Sequence, residues 1–318
     1  MLLLLNKKDL NTYDDYIIYI KNMAEKETFD VAIIGTGIVG LAGAIYARRM
    51  NLKAIVFGNE RGVTLAKTHV VENYPGFKSI QGYELINQMK EQAQETGTEF
   101  KAGWVDKIEK TEDCYKVSVK EEQFQSKAII LAIGSQRRKL GLEREKELTG
   151  KGLHYCWTCD GPLYGGKTVA MIGGGDSSVK GVNFLAEYAT KVYLIVRDNK
   201  ITAEPVNKER MDALGDKVEV LFETEVKELV GTEKLEKLIL GKEYNGSADL
   251  AVDGVFVEIG FDPDTTFADQ LGLELDGKRY MKTDAMMKTN TAGIFVAGDA
   301  TAHFGDFKQD ITAAALGA

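Results

Sequence analysis

Asp30-Val31-Ala32-Ile33-Ile34-Gly35-Thr36-Gly37-Ile38-Val39-Gly40 decides the fold. The apolar run from Val31 to Ile34 reads as a strand buried on both faces. Gly35, Gly37 and Gly40 then carry the spacing of a dinucleotide-binding turn. Beyond it Leu41, Ala44, Ile45 and Arg48 recur with helical period, and Leu52 to Phe57 supplies a second strand. Together they predict a βαβ unit of about 30 residues, with its turn at a helix amino terminus, where an anion is favoured.

The same grammar recurs downstream. Thr168-Val169-Ala170-Met171-Ile172 reads as a strand and Gly173-Gly174-Gly175-Asp176-Ser177-Ser178 as its turn. A helix through Phe184-Leu185 and a strand from Val192 to Val196 follow. Two such units predict an α/β fold of two doubly wound, Rossmann-like nucleotide-binding domains, the second inserted in the first. Ala128–Gly134 and Gly293–Asp299 read as further strands of the first domain. The expected division is an N-terminal extension at 1–28, a first domain at 29–136 plus 259–318, and a second at 137–258. Tyr16, Ile17, Ile20 and Met23 are expected to line one face of a short helix in the extension.

Cys156-Trp157-Thr158-Cys159-Asp160 opens the second unit. Two nucleotide turns suggest a flavin and an electron source, and a CxxC gives the electrons somewhere to go. Zinc fails for want of ligands, since Cys114 is the only other cysteine and His154 the only near histidine; no metal is expected. Cys114, in a strand with Tyr115 and Val117, is expected to be a buried structural cysteine.

Composition narrows the class further. The chain has 318 residues, 44% of them apolar and 28% charged, which suits a globular protein of two domains. A net charge of −8 argues against a nucleic-acid partner. No apolar run approaches the ~18 residues of a membrane helix. Met1-Leu2-Leu3-Leu4-Leu5 is too short for a signal-peptide core. With two of three cysteines in CxxC, a reducing, cytoplasmic compartment is expected.

Several spaced motifs together resemble the low-molecular-weight thioredoxin reductase family of flavoproteins. They are the first turn, Val71-Glu72-Asn73-Tyr74-Pro75-Gly76-Phe77, Ala132–Gly134, Cys156–Gly161, the second turn, Gly254–Gly260 with Pro263, and Gly298-Asp299 with Gln309. The resemblance implies FAD on the first domain, its pyrophosphate at Gly35, Gly37, Ile38, Val39 and Gly40. Glu60, Leu65, Asn73, Gly134, Gly298, Asp299, Lys308 and Gln309 would complete that site. It also implies that Cys159 exchanges electrons with the flavin, Cys156 attacks the partner disulfide, and Asp160 manages the proton. The implied partner is thioredoxin or a glutaredoxin-like protein. The implied assembly is a homodimer whose second domain swings about the crossings near 135–139 and 258–263. The family's Gly-Gly-Gln-Leu loop reads here as Gly62-Val63-Thr64-Leu65.

A nicotinamide dinucleotide would sit at Gly173, Gly175, Asp176, Ser177 and Ser178, with Arg197 and Asp198 at its ribose. Relatives that use NADPH carry His-Arg-Arg-x-x-x-Arg after the second unit's strand, whereas this chain reads Val196-Arg197-Asp198-Asn199-Lys200-Ile201-Thr202. An acid where an arginine clamped the 2′-phosphate disfavours NADPH, leaving NADH as the simplest donor, with ferredoxin or reduced deazaflavin as alternatives. His154 and Trp157 depart from the small and hydroxyl residues usual around the dithiol, and Gly181 and Glu258 also depart from expectation. Competing functions are a flavin oxidase serving a peroxide-reducing partner and a non-enzymatic flavin redox sensor.

Overall fold

The computed structural model describes residues 28–59, 62–305 and 307–318. Residues 1–27 and Glu60 lie outside the described residues, and with them the expected extension helix and one expected FAD contact. Two compact units form. One comprises the described residues up to Ser135 together with Pro263–Ala318, the other Gln136–Asp262.

In the first unit, β1 (Thr28–Ile34) runs into α1 (Ile38–Arg49) and returns as β2 (Ala54–Gly58). After α2 (Gly82–Glu95) come β3 (Glu99–Ala102), β4 (Lys107–Lys110), β5 (Tyr115–Val119) and β6 (Glu122–Leu131). The sheet order is β3-β2-β1-β6-β5-β4. Strands β3, β2, β1 and β6 are parallel, while β4 and β5 join as antiparallel strands. Alternation in β1 explains why Val31–Ile34 is apolar without a break. Val31 and Ile33 pack with Leu41 and Leu85 on one face, and Ala32 and Ile34 with Ile129 and Leu131 on the other. Both faces being covered, each large buried side chain contributes about 1.5–3 kcal/mol of burial.

The second unit repeats the plan. After β7 (Ser135–Arg137) come β8 (Leu153–His154), α3 (Trp157–Asp160), β9 (Thr168–Ile172), α4 (Asp176–Leu185), β10 (Lys191–Ile195), α5 (Pro205–Asp212) and β11 (Val218–Leu221). An antiparallel sheet of β12 (Val226–Val230), β13 (Lys237–Tyr244) and β14 (Ser247–Ala251) follows, and then β15 (Gly254–Val257). The parallel order is β11-β10-β9-β15-β8. Ala170 and Ile172 enter one core, and Val169 and Met171 the other. β16 (Phe261–Pro263) pairs with β7, so the two chain crossings form one short ribbon. Back in the first unit, β17 (Ile294–Val296) joins β6, and α6 (Asp310–Gly317) packs against α1. Among the described residues no helix is long and apolar enough to cross a membrane.

Candidate active site

The glycines of the first turn do different jobs. Gly35 has φ +123°, and a Cβ there would stand 2.2 Å from the Ala132 carbonyl oxygen. At Gly40 a Cβ would lie 2.0 Å from the Gly35 carbonyl oxygen, so this glycine lets the helix close on its own turn. Gly37 is the N-cap of α1, with extended backbone, and a Cβ there would meet nothing within 4 Å. That gap lies before the first N–H groups of α1, contributed by Ile38, Val39 and Gly40, which have no intrahelical acceptor. No acidic residue stands in the first helical turn. The positive end of the helix dipole is therefore uncompensated, which suits a pyrophosphate.

Other expected residues cluster in the same unit. Gly298 (φ +78°) lets the backbone meet Val39, where a Cβ would come 2.5 Å from its methyl carbon. Half-buried Asp299 follows; burial pushes its carboxyl up, against the opposing pull of Lys308 and a hydrogen bond with Ser135. Lys308 also donates to the Thr301 carbonyl oxygen. The Asn73 amide donates to Gln309 Oε1 at 3.0 Å, and Gln309 also caps α6 through a capping box with Thr312. Gly134 takes φ +69° with open space beside it. Leu65 is buried in the core, and its carbonyl packs against the backbone of Gly82.

At the second turn Gly173 (φ +134°) repeats the part of Gly35, a Cβ there falling 2.1 Å from the Glu258 carbonyl oxygen. Gly175 repeats Gly37 as an extended N-cap with open space. Buried Ser178 donates to the Glu258 carbonyl oxygen at 3.0 Å, and Ser177 is exposed. Asp176 opens α4 and is fully engaged. It pairs with Lys180 at 2.7 Å and accepts from Glu204 N at 3.0 Å and Asn207 Nδ2 at 2.9 Å. Burial pushes its carboxyl up, but these bonds outweigh it and hold it below the usual range. Arg197 and Asp198 are 80% and 69% exposed, with side chains 3.9 Å apart.

The dithiol sits at the start of a single helical turn. Cys156 is the N-cap of α3 and is disulfide-bonded to Cys159. Asp160, 33% exposed, closes the turn and accepts from His154 Nδ1 at 3.0 Å. Trp157, one of the two sequence departures beside the dithiol, belongs to a packed cluster with Gly181 and Glu258. Trp157 packs over Gly181, where a Cβ would stand 3.0 Å from the indole, and against Phe184 with ring centroids 5.4 Å apart. It hydrogen-bonds Glu258, whose side chain is 3% exposed and ion-paired with Arg137. Burial pushes the Glu258 carboxyl up, and Arg137 and Trp157 offset only part of that. His154, the remaining departure, is buried against Tyr164 and Phe256.

Arg137 and Tyr164 carried no signal in the sequence, because their partners lie on separate elements. One expectation is corrected. Cys114 is half-buried rather than buried, and it stands before β5 in a turn closed by Thr111. Tyr115, Val117 and Val119 take the inward positions of that strand, which leaves Cys114 at its mouth.

Residues 29–317 match the family described as pyridine nucleotide-disulphide oxidoreductase. The chain belongs to that family, in its low-molecular-weight thioredoxin reductase branch. A thioredoxin reductase of Bacillus subtilis (strain 168) is 36% identical over 286 residues, covering 87% of this chain and 88% of the relative. The crystal structure of Lactococcus lactis thioredoxin reductase superimposes with a TM-score of 0.84 at 33% identity, covering 91% of this chain and 95% of the other. That of T. acidophilum thioredoxin reductase does so with 0.84 at 31% identity and the same coverages.

Proposed function

We propose that the chain is a flavin-dependent thioredoxin-disulfide reductase. The disulfide at the mouth of α3, inside a nucleotide-type unit and followed at once by Asp160, carries the reading. The bare amino terminus of α1 and the gap at Gly37 fit the FAD pyrophosphate, and Asp299, Asn73, Lys308 and Gln309 would hold the rest. When bound, FAD supplies two-electron transfer. The protein's own part is the exchange chemistry. The reduced Cys156 thiolate attacks one sulfur of the partner disulfide, forming a mixed disulfide and expelling the first partner thiolate. Cys159 then gives its proton to the Asp160 carboxylate and attacks Cys156. The internal disulfide re-forms, the second partner thiolate leaves, and the proton passes to it. The dithiol loses two electrons and the partner disulfide gains them.

NADH is the donor favoured by Asp198 beside Arg197, because an exposed carboxylate there repels a 2′-phosphate and accepts from a ribose diol. The working form is read as a cytoplasmic homodimer. The test is thioredoxin reduction by the flavin-loaded Cys156→Ser and Cys159→Ser variants. Both are expected to lose turnover, and full activity in either ends the reading.

A further inference from the structure

We infer that His154 and Tyr164 are positioning residues for Asp160, holding the acid of the dithiol through a hydrogen-bonded chain anchored in the interior. The inference rests on the role proposed above for Asp160. Asp160 is the last residue of a helix only one turn long, and no side chain caps that helix at Cys156. Such a turn gives a carboxylate little orientation of its own. The fixed points lie behind it. His154 is 6% exposed and Tyr164 is 7% exposed. His154 Nδ1 lies 3.0 Å from Asp160 Oδ2, and its Nε2 lies 2.7 Å from the Tyr164 hydroxyl. The imidazole stacks on Phe256 with centroids 5.2 Å apart at 27°, and Tyr164 meets both rings edge-on. Phe256 is also the register partner of His154 across β8 and β15, so the ring rests on sheet rather than loop.

The direction of the chain follows from its members. Burial first, and then Asp160 and Asp253, push the Tyr164 hydroxyl up to about 12, so it keeps its proton and donates to Nε2. The cation of Lys167 stands 5.3 Å over the same ring. Burial also holds the imidazole below its usual range, although Asp160 pulls the other way. A neutral ring has one N–H, and with Nε2 accepting, that proton is on Nδ1 and is donated to Asp160. One carboxylate oxygen is thereby fixed, and the other is left to exchange the proton of Cys159. This is the arrangement of a base oriented by a third group.

A double-mutant cycle on the flavin-loaded protein tests this. The disulfide is reduced with a phosphine, the phosphine is removed, and the protein is mixed with excess oxidised thioredoxin. Thiol loss is followed by rapid alkylation. Asp160→Asn is expected to slow the step. His154→Ala is expected to slow it about tenfold, the value of one charge-assisted hydrogen bond. In the Asp160→Asn background the same change should cost about twofold or less, because the two residues act as one unit. His154→Asn, which keeps a side-chain N–H, should recover most of the rate. If Asp160→Asn slows the step but His154→Ala costs the same in both backgrounds, the inference is overturned alone. If Asp160→Asn leaves the rate unchanged, the role of Asp160 falls and the inference with it. Should His154→Ala fail to fold, Tyr164→Phe carries the same cycle, with an expected loss of about threefold for a neutral hydrogen bond.

Discussion

The two glycine turns share a backbone and differ at the helix they feed. In both, the first glycine takes a positive φ and lies too close to a neighbouring carbonyl for any Cβ. In both, a later glycine caps the helix beside open space. Past that point they diverge. The first turn closes with Gly40 against Gly35 and leaves α1 without an acid in its first turn. The second closes with Ser178 on the Glu258 carbonyl and places Asp176, tied to Lys180, in the first turn of α4. One part of the motif folds the turn, and another meets the ligand. The first can persist while the second changes, which is why we propose the flavin for the first turn and a non-phosphorylated donor for the second.

The largest effect expected is on folding. Gly35→Ala and Gly173→Ala each force a Cβ into a carbonyl at positive φ, costing at least ~2–3 kcal/mol. Gly35→Ala should lose the flavin, whereas Gly173→Ala should keep it, as read by flavin absorbance per chain alongside thermal melts. Retention of flavin by Gly35→Ala would reverse the assignment. Next in size is Gly37→Ala against Gly175→Ala. Neither meets an atom within 4 Å, so neither should change stability by more than ~0.5 kcal/mol. Gly37→Ala should nevertheless weaken FAD retention about tenfold, by crowding the pyrophosphate where backbone approach is needed. Gly175→Ala should leave FAD untouched.

A third comparison grafts the missing clamp. Asp198→Arg with Thr202→Arg should raise NADPH affinity about tenfold and weaken NADH, which loses the carboxylate at its ribose diol. Stopped-flow flavin reduction reads both, and an unchanged NADPH rate would favour a donor that does not use this turn. The smallest effect is in pH dependence. Glu258 has its carboxyl raised in the fold, so the native state holds a proton that the unfolded chain releases. Its contribution to stability is therefore lost as pH rises from about 4.5 through the raised value. Asp176 is lowered, so its contribution is present above the unfolded value and lost as pH falls through the lowered one. Denaturant melts across this range should show Glu258→Gln and Asp176→Asn removing slopes of opposite sign.

Both turns, the strands around them and the dithiol were legible because each is written in consecutive residues with a fixed period. The surroundings of the dithiol were not. Trp157, Gly181 and Glu258 each stood out from the sequence singly, yet their common cause is spatial. Strand β15 lies beside β9 in the sheet, and α3 packs over α4, so an indole that needs a missing Cβ finds a buried carboxylate. Arg137, which pairs with that carboxylate, had no signal at all. Cys114 was misplaced by one position, since the alternating strand begins at Tyr115. His154 and Tyr164 lie close to Asp160 in the chain, but only the sheet register that sets His154 beside Phe256 shows the ring is buried.

The central claim is that electrons arriving at the flavin pass to Cys156 and Cys159. An anaerobic reductive titration of the flavin-loaded protein tests it directly. Each of the two centres is a two-electron couple, so the wild type should take up about four electrons per chain, and a Cys156→Ser, Cys159→Ser double variant with the same flavin content about two. Equal uptake by the two proteins would contradict the account.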